Sequence, residues 1–528
     1  MPREATSLVE HFGSMKASYN MTQPSRLRRE RQVPRQGVSS DYHLRQSELF
    51  YAMELARDLE MNEPILSQGI RRLTSNLKIG KMFPDPNTGD KDIDALLLEK
   101  WSAWSTDPDK CHAARELSFD QMCVVAFRRI VVDGDCFGIP IKDANDERYQ
   151  SIQTLEAHRC REANRAKNES TGLCGVKRGE NGVRKAYYFT KEPVGTGTTV
   201  KVGELKPIDA YDENDEPNVF HVYNPERFGQ RRGFTHVAPV FDQVAMRDDI
   251  DFATLIKHQT ASCIGAIEEV DPALWAFFQQ QGIDDRDLKQ YYFNGQTSDT
   301  LTMRPGGIYR PKPGHKLTAF SPNVPNPSYF EHVKLLLTYL GLSLDLPLIV
   351  LLLDASDTTF SSYRHVLEQA RQTFAEIRGW FANAWNRPVW NFLCREWAKE
   401  DQQLAAFVAQ YGLDQLRRHT WNAPAYDYIE PVKDATGDML KLSNALTSPR
   451  RFSASRHSCD WQQLFEEIVV DWRSAIEFAM QQADEVNALG LEQISWRDLL
   501  PMPALKTTLS LTESPSGDIT PTTGDQNT

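Results

Sequence analysis

The sequence predicts an α+β protein that is mainly helical. Three observations point there. Most of the long apolar patterns repeat every three or four residues. The β-like runs are short and confined to two stretches punctuated by glycine and proline. A chain of 528 residues with 40% hydrophobic content can fill a large core shared among several domains.

Residues 1–40 are polar, with Arg26, Arg28, Arg29, Arg31 and Arg35 interrupted by Pro24 and Pro34. They read as an extended arm, either free in solvent or wrapped on a neighbouring subunit. From Asp41 on, Leu44, Leu49, Met53 and Ala56 recur at helical spacing. Asn62 and Pro64 then restart a helix carrying Ile65, Ile70, Leu73 and Leu77, with Gly80 expected to close it. Further helices are expected over 93–104 and 119–132, the second ending at Asp133-Gly134-Asp135.

The composition then shifts to β-like runs at 172–182, 185–189, 198–202 and 219–223, with an acidic loop at 212–216. A long helix is expected from Pro239 to about Cys263, followed by a short apolar helix around 274–278 and β-like pieces from 300 to 325. A second helix over 328–340 leads into 342–362, apolar at first and then polar through Asp354, Ser356, Asp357, Thr358 and Thr359. The longest helix is expected to begin near Phe360, and Pro388 must kink or restart it. Residues 400–500 read as mostly helical, and the Ser/Thr/Gly/Pro-rich end, 510–528, has almost nothing to bury and reads as disordered.

The functional classes narrow by elimination. With 60 basic and 72 acidic residues the chain carries a formal charge of −12, so its totals lack the basic footprint of a protein that grips nucleic acid. Any contact with DNA is expected to be local or weak. The first fifteen residues lack an apolar h-region and no stretch approaches the ~20 apolar residues of a membrane span, so the expectation is a soluble protein made in the cytoplasm. Eight scattered cysteines without a CxxC pair fit reduced thiols. Cys111-His112 and His457-x-Cys459 are read as ordinary packing, not as metal half-sites. The glycine cluster at 194–199 lacks the lysine of a phosphate cradle and reads as a hairpin turn, and neither HExxH nor GxSxG occurs. Trp380, Trp385, Trp390 and Trp397 read as core or interface residues and not as base-stacking platforms. No cofactor is expected.

Four stretches, taken in order and spacing, resemble the portal proteins of tailed phages, specifically the lambda-like portal family. The first runs from Ala56-Arg57-Asp58-Leu59 through Asn62, Pro64 and Ile70 to Gly80. The second is His221-Val222-Tyr223 followed by Arg227, Gly229, Gln230, Arg232 and Gly233. The third joins Gly341-Leu342 and Leu346-Pro347 to Ser361-Ser362-Tyr363-Arg364. The fourth is Arg387-Pro388-Val389-Trp390 with Trp421-Asn422-Ala423-Pro424 and Glu430-Pro431-Val432-Lys433. The resemblance covers about 40–480, and the acidic loop and the tail past 500 have no place in it.

The resemblance implies a portal fold of wing, stem, clip and crown, assembled as a ring of twelve around a channel at one capsid vertex of the virion. It implies an N-terminal arm at 1–40, a first wing part at 41–238 and a stem helix at 239–263. A clip at 264–325, a second stem helix at 326–341 and a tunnel loop at 342–360 follow. The remainder divides into a long wing helix at 361–400, a crown at 401–503 and a disordered tail at 504–528. Such a chain is not itself an enzyme. Its implied partners are copies of itself, terminase, the major capsid and scaffolding proteins, head–tail adaptors and passing double-stranded DNA, with no membrane. Tunnel-loop candidates are Asp354, Ser356, Asp357, Thr358 and Thr359, and candidates for transient phosphate contact are Arg247, Lys257 and Lys334. Another capsid structural or scaffolding protein, or a DNA-processing hydrolase, are the alternative readings.

Overall fold

A computed structural model describes residues 45–163, 172–262, 265–270, 272–282, 315–320, 327–354, 356, 358–457, 461–488, 495, 510–513 and 519–522. The expected arm at 1–40 lies outside these, as does most of the expected tail.

Two helices open the described chain, α1 (Gln46–Asn62) and α2 (Pro64–Leu77). They are separated at Glu63, whose extended backbone breaks the helix while its carboxylate accepts the amide of Ile65. Pro64 takes the first helical position, where a missing N–H costs nothing. The helix closes earlier than the glycine signal suggests. Lys78, not Gly80, adopts the left-handed conformation (φ 52°). Gly80 serves close approach instead, since a Cβ there would sit 2.9 Å from the carbonyl oxygen of Asp120.

After strand β1 (Phe83–Pro86), α3 (Lys91–Ser105) is capped by the Asp90 carboxylate. Helix α4 (Phe119–Asp133) starts with a reciprocal Ser118/Gln121 capping box and ends at Gly134, with φ 97°. These sit where apolar periodicity and cap residues place them.

Two small antiparallel sheets follow. In the first, β2 (Asp135–Pro140) lies between β3 (Ile152–Glu156) and β7 (Phe220–Tyr223). In the second, β5 (Arg184–Thr190) lies between β4 (Val176–Arg178) and β6 (Leu205–Asp209). The strand expected at 198–202 is therefore displaced to Leu205–Asp209. The reason is Arg161, whose guanidinium donates to the carbonyls of Gly195 and Thr198 and holds 194–199 as the turn of the β5–β6 hairpin. Pro207 is tolerated because β6 is an edge strand. Phe137, Leu155, Val176, Tyr187 and Phe189 fill the space between the sheets.

The main core joins α1–α4 to one face of the first sheet and to the helices that come later. The chain continues with α5 (Phe241–Ser262), β8 (Gly265–Val270), α6 (Pro272–Gln280), β9 (His315–Phe320), α7 (Pro327–Ser343) and a short α8 (Leu348–Leu352). Helix α9 (Phe360–Phe381) passes through a π-helical turn, Ala382–Asn386, into α10 (Arg387–Glu400). Pro388 sits in the first turn of α10, and the widened turn before it absorbs its missing N–H. Trp385 and Trp390 are fully buried and Trp397 nearly so, and Trp101 packs against Trp104, Trp390 and Trp421. These rings are core, unavailable to bases.

Helix α11 (Gln402–Tyr411) precedes β10 (His419–Asn422), which pairs with β1, so residues more than 330 positions apart close the core. Helices α12 (Pro431–Ser443), α13 (Pro449–His457) and α14 (Trp461–Ala488) follow. The longest described helix is α14, at 28 residues against 22 for α9, contrary to the expectation for the helix at Phe360. Within the tail, β11 (Ser510–Glu513) and β12 (Ile519–Thr522) pair as a short antiparallel ladder.

Candidate functional site

The chain enters α5 through a clasp. Gln230 folds its side chain back to accept the amides of Glu226 and Arg227, and Arg178 donates to the carbonyls of Gly229 and Gln230. Arg232 is buried and grips the Asp135 carboxylate with two nitrogens, at 2.5 and 3.1 Å. Its remaining hydrogens go to the carbonyls of Ala157, Cys160 and Cys174. His221 stacks on Phe137 and shares Asp135, and burial drives the imidazole's pKa down to about 3, so it is neutral. Gly233 lies so close to Gly134 that a Cβ would reach its carbonyl oxygen at 2.0 Å.

Helices α5 and α7 run antiparallel. Val240, Val244, Leu340 and Leu344 root them in the main core, and Tyr329 donates to Asp251 at 2.5 Å. Between them the chain leaves along β8 and returns along β9, six residues of ladder from Gly265↔Phe320 to Val270↔His315. Beyond the roots, both helices expose apolar side chains: Met246, Phe252, Leu255 and Ile256 on α5, and Phe330, Leu335 and Tyr339 on α7.

The three basic candidates are in different situations. Arg247 forms a two-pronged ion pair with Glu63, both contacts at 2.6 Å, and Asp248 and Asp251 lie nearby. Its charge ties α5 to the start of α2. Lys257 is exposed on α5. Lys334 is exposed on α7, near enough to Asp354 for its charge to act on that carboxyl.

Part of the expected tunnel loop is anchored. Val350 and Leu351 of α8 are buried against α2, and Arg72 donates to the carbonyls of Val350 and Leu351. Gly69 makes the room, since a Cβ there would lie 2.7 Å from a Leu344 methyl. Leu353 turns the chain with φ 55°. From here the segment turns polar, with Asp354 and Ser356 exposed. Asp354 accepts the amide of Ser356 at 3.0 Å, and this bond, with help from the Ser356 side chain and Lys334, holds its carboxyl below the ordinary range. Thr359 is not at the tip but caps α9, accepting the amide of Ser362. Thr358 is half-buried beside it, and Asp357 lies outside the described residues.

Sequence reasoning missed Glu63, Gly69 and Arg72, which position these elements. Nothing local announces them. Glu63 lies 184 residues from Arg247, and Arg72 lies 279 from Leu351. The acidic loop is also structural: Asp212 takes Lys142 and Arg395, and Glu216 takes Arg417, tying the loop to α10 and to the stretch before β10.

Among the described residues, no group of His, Cys, Asp and Glu is arranged to hold a metal ion, and no helix is long and apolar enough to cross a membrane. Cys111 is buried, donates to the carbonyl of Leu117 and has its thiol pushed up to about 12 by burial, while His112 pairs with Thr154. The other half-site lies partly outside the described residues, since Cys459 is not among them.

A family model described as phage portal protein, lambda family, matches residues 25–378. The chain belongs to the lambda family of phage portal proteins. It is a portal, or head–tail connector, protein of a structural family. The match contains the clasp, α5, α7, the Asp354 segment and most of α9, and it stops short of the Arg387-to-Lys433 stretch. No curated protein matches the chain. Among solved structures, similar chains come from the virion of a native gene transfer agent particle, at 10% identity and TM-score 0.43, and the neck of an empty particle computed with C6 symmetry, at 9% and 0.45. Each comparison covers 76% of this portal chain and 92% of the other. At these scores the likeness adds nothing to the family assignment.

Proposed function

We propose that this portal protein forms a closed ring, of twelve copies in the virion, at one capsid vertex, and that double-stranded DNA is packaged and ejected through its centre. The observation that carries the reading, beyond family membership, is the antiparallel α5–α7 pair. Both helices are rooted in the core at one end and leave Phe252, Leu255, Phe330 and Leu335 uncovered for the rest of their length. Exposed apolar faces of this kind call for protein neighbours, and copies of the same pair supply them.

In this reading 41–238 is the first wing part, 239–263 and 326–341 are the stem, 264–325 is the clip and 342–360 is the tunnel loop. Residues 361–400 are the long wing helix and 401–503 the crown. The −12 charge of every copy disfavours broad adhesion of phosphates to the ring, which suits a passage through which DNA must slide. Terminase and head–tail adaptors dock on the clip, capsid and scaffolding proteins surround the wing, and the chain itself catalyses nothing. Assembly takes place in the host cytoplasm.

Native mass measurement with negative-stain imaging of the purified chain tests this. The expected result is a closed ring with a central hole and interfaces above ~2,000 Å². Monomer or dimer under all conditions would refute it. Deleting 264–325 is expected to leave the wing folded while abolishing terminase docking, and normal packaging by that deletion would overturn the clip assignment.

A further inference from the structure

A cluster of positive charge lies where the C-terminus of α2, the second half of α9 and the loop before α12 meet. Lys78, Arg371 and Arg378 all bear on the ring of Tyr426, at 5.1, 4.8 and 5.9 Å from its centre. Lys81 adds a fourth positive charge close enough to act on Lys78. In a chain with net charge −12 this is a local reversal of sign.

The cluster is not neutralised from within. Lys78 donates to the carbonyl of Ala425, and Arg371 to the carbonyl of Asp427. Among the described residues none of the four cations is in an ion pair with a carboxylate, although the Asp427 carboxylate attracts Lys78 from farther off. One guanidinium nitrogen of Arg378, Nη1, is buried without any hydrogen-bond partner. An unpaired buried donor on a cation is costly, and burial together with the repulsion of Lys81, Arg378 and Arg371 lowers the pKa of Lys78. Tyr426 is held rigidly in the midst of this by its hydroxyl, which donates to the carbonyl of Asn76 at 2.8 Å.

We infer that Lys78, Lys81, Arg371 and Arg378 around Tyr426 form a binding site for a phosphate group. Two guanidinium groups and one ammonium group lie within 6 Å of one ring centre, and a second ammonium acts on the first; such a concentration of donors suits the several acceptor oxygens of a phosphate. The phosphate belongs either to a DNA backbone or to a free ion, and the site stands whether or not the ring reading does.

The test uses the full chain, whichever oligomer it forms. Inorganic phosphate and a 20-base-pair duplex are titrated separately at several salt concentrations by calorimetry and thermal shift, against wild type, Arg371→Gln/Arg378→Gln and the exposed Lys81→Gln. Phosphate binding that both variants weaken, the double variant about tenfold or more, assigns a free-ion site. Duplex binding alone, with a salt dependence that falls by about one phosphate in Lys81→Gln, assigns a backbone site. Lys81→Gln keeps the test decisive should the double variant fail to fold. Absence of binding by either probe, or binding that neither variant alters, overturns the proposal.

Discussion

Replacing Arg232 by Met removes every donor of that side chain while nearly keeping its length. Asp135, fully buried, would retain only His221 at 3.1 Å and the amide of Gly233 at 3.2 Å. Removing one partner of a buried ion pair costs about 3–5 kcal/mol. The stranded carbonyl of Cys160 adds about 1 kcal/mol or more, while Ala157 keeps the amide of Cys160 and Cys174 keeps the weak Cys160 thiol. A loss of about 5 kcal/mol is comparable to the whole stability of many domains. Arg232→Met is therefore expected to unfold the two sheets and loosen the entry to α5, even where the helical core persists. Hydrogen exchange across β2, β3 and β7, with urea midpoints, measures it. Arg232→Met/Asp135→Leu is expected to recover much of the loss, because apolar groups can replace a buried pair with little penalty. A single variant within about 1 kcal/mol of wild type, or a double variant no better than the single, would refute the reasoning.

Three further predictions follow from the same contacts. Glu63→Gln keeps the cap on Ile65 but removes the charge facing Arg247; it is expected to cost about 2 kcal/mol and to raise hydrogen exchange in α5, and unchanged exchange would argue against the tie. His221, neutral with a pKa near 3 through burial, is protonated in the unfolded chain below about 6.5, so the unfolded state binds more protons between these values and stability falls as pH drops from 6.5 toward 3. His221→Gln is expected to flatten urea midpoints over that window, and an equally steep curve would discount the histidine. Asp354→Lys/Asp357→Lys is expected to slow DNA packaging or shorten the retained genome without impairing ring assembly; normal packaging would remove the tunnel-loop reading.

Most helices of the first part of the chain were legible because their signals are local. Apolar residues every three or four positions, Pro64 in a first turn, the Ser118/Gln121 box and Gly134 each act within one or two turns of their own position. Where a local signal competed with packing, packing prevailed. Gly80 reads as a helix stop, yet the turn is made at Lys78 because Gly80 is needed against Asp120. The strand at 198–202 was displaced by a guanidinium that reaches in from Arg161.

For the candidate site the division is sharper. Composition and periodicity alone determined that the chain is mainly helical, that two long helices flank an excursion with glycine- and proline-rich stretches, and that a polar stretch from Asp354 to Thr359 lies between helices. What the charged residues do there was decided only by tertiary structure. Arg247 and Lys257 look alike in sequence, but Arg247 is consumed by a carboxylate 184 residues away while Lys257 stays exposed. Likewise four cations on two separate segments become one cluster only when the end of α2 and α9 meet at Tyr426, which the loop before α12 supplies. The physical reason is range: helix formation and capping are settled between neighbours in the chain, whereas the pairing or isolation of a charge depends on which distant segment the fold brings against it.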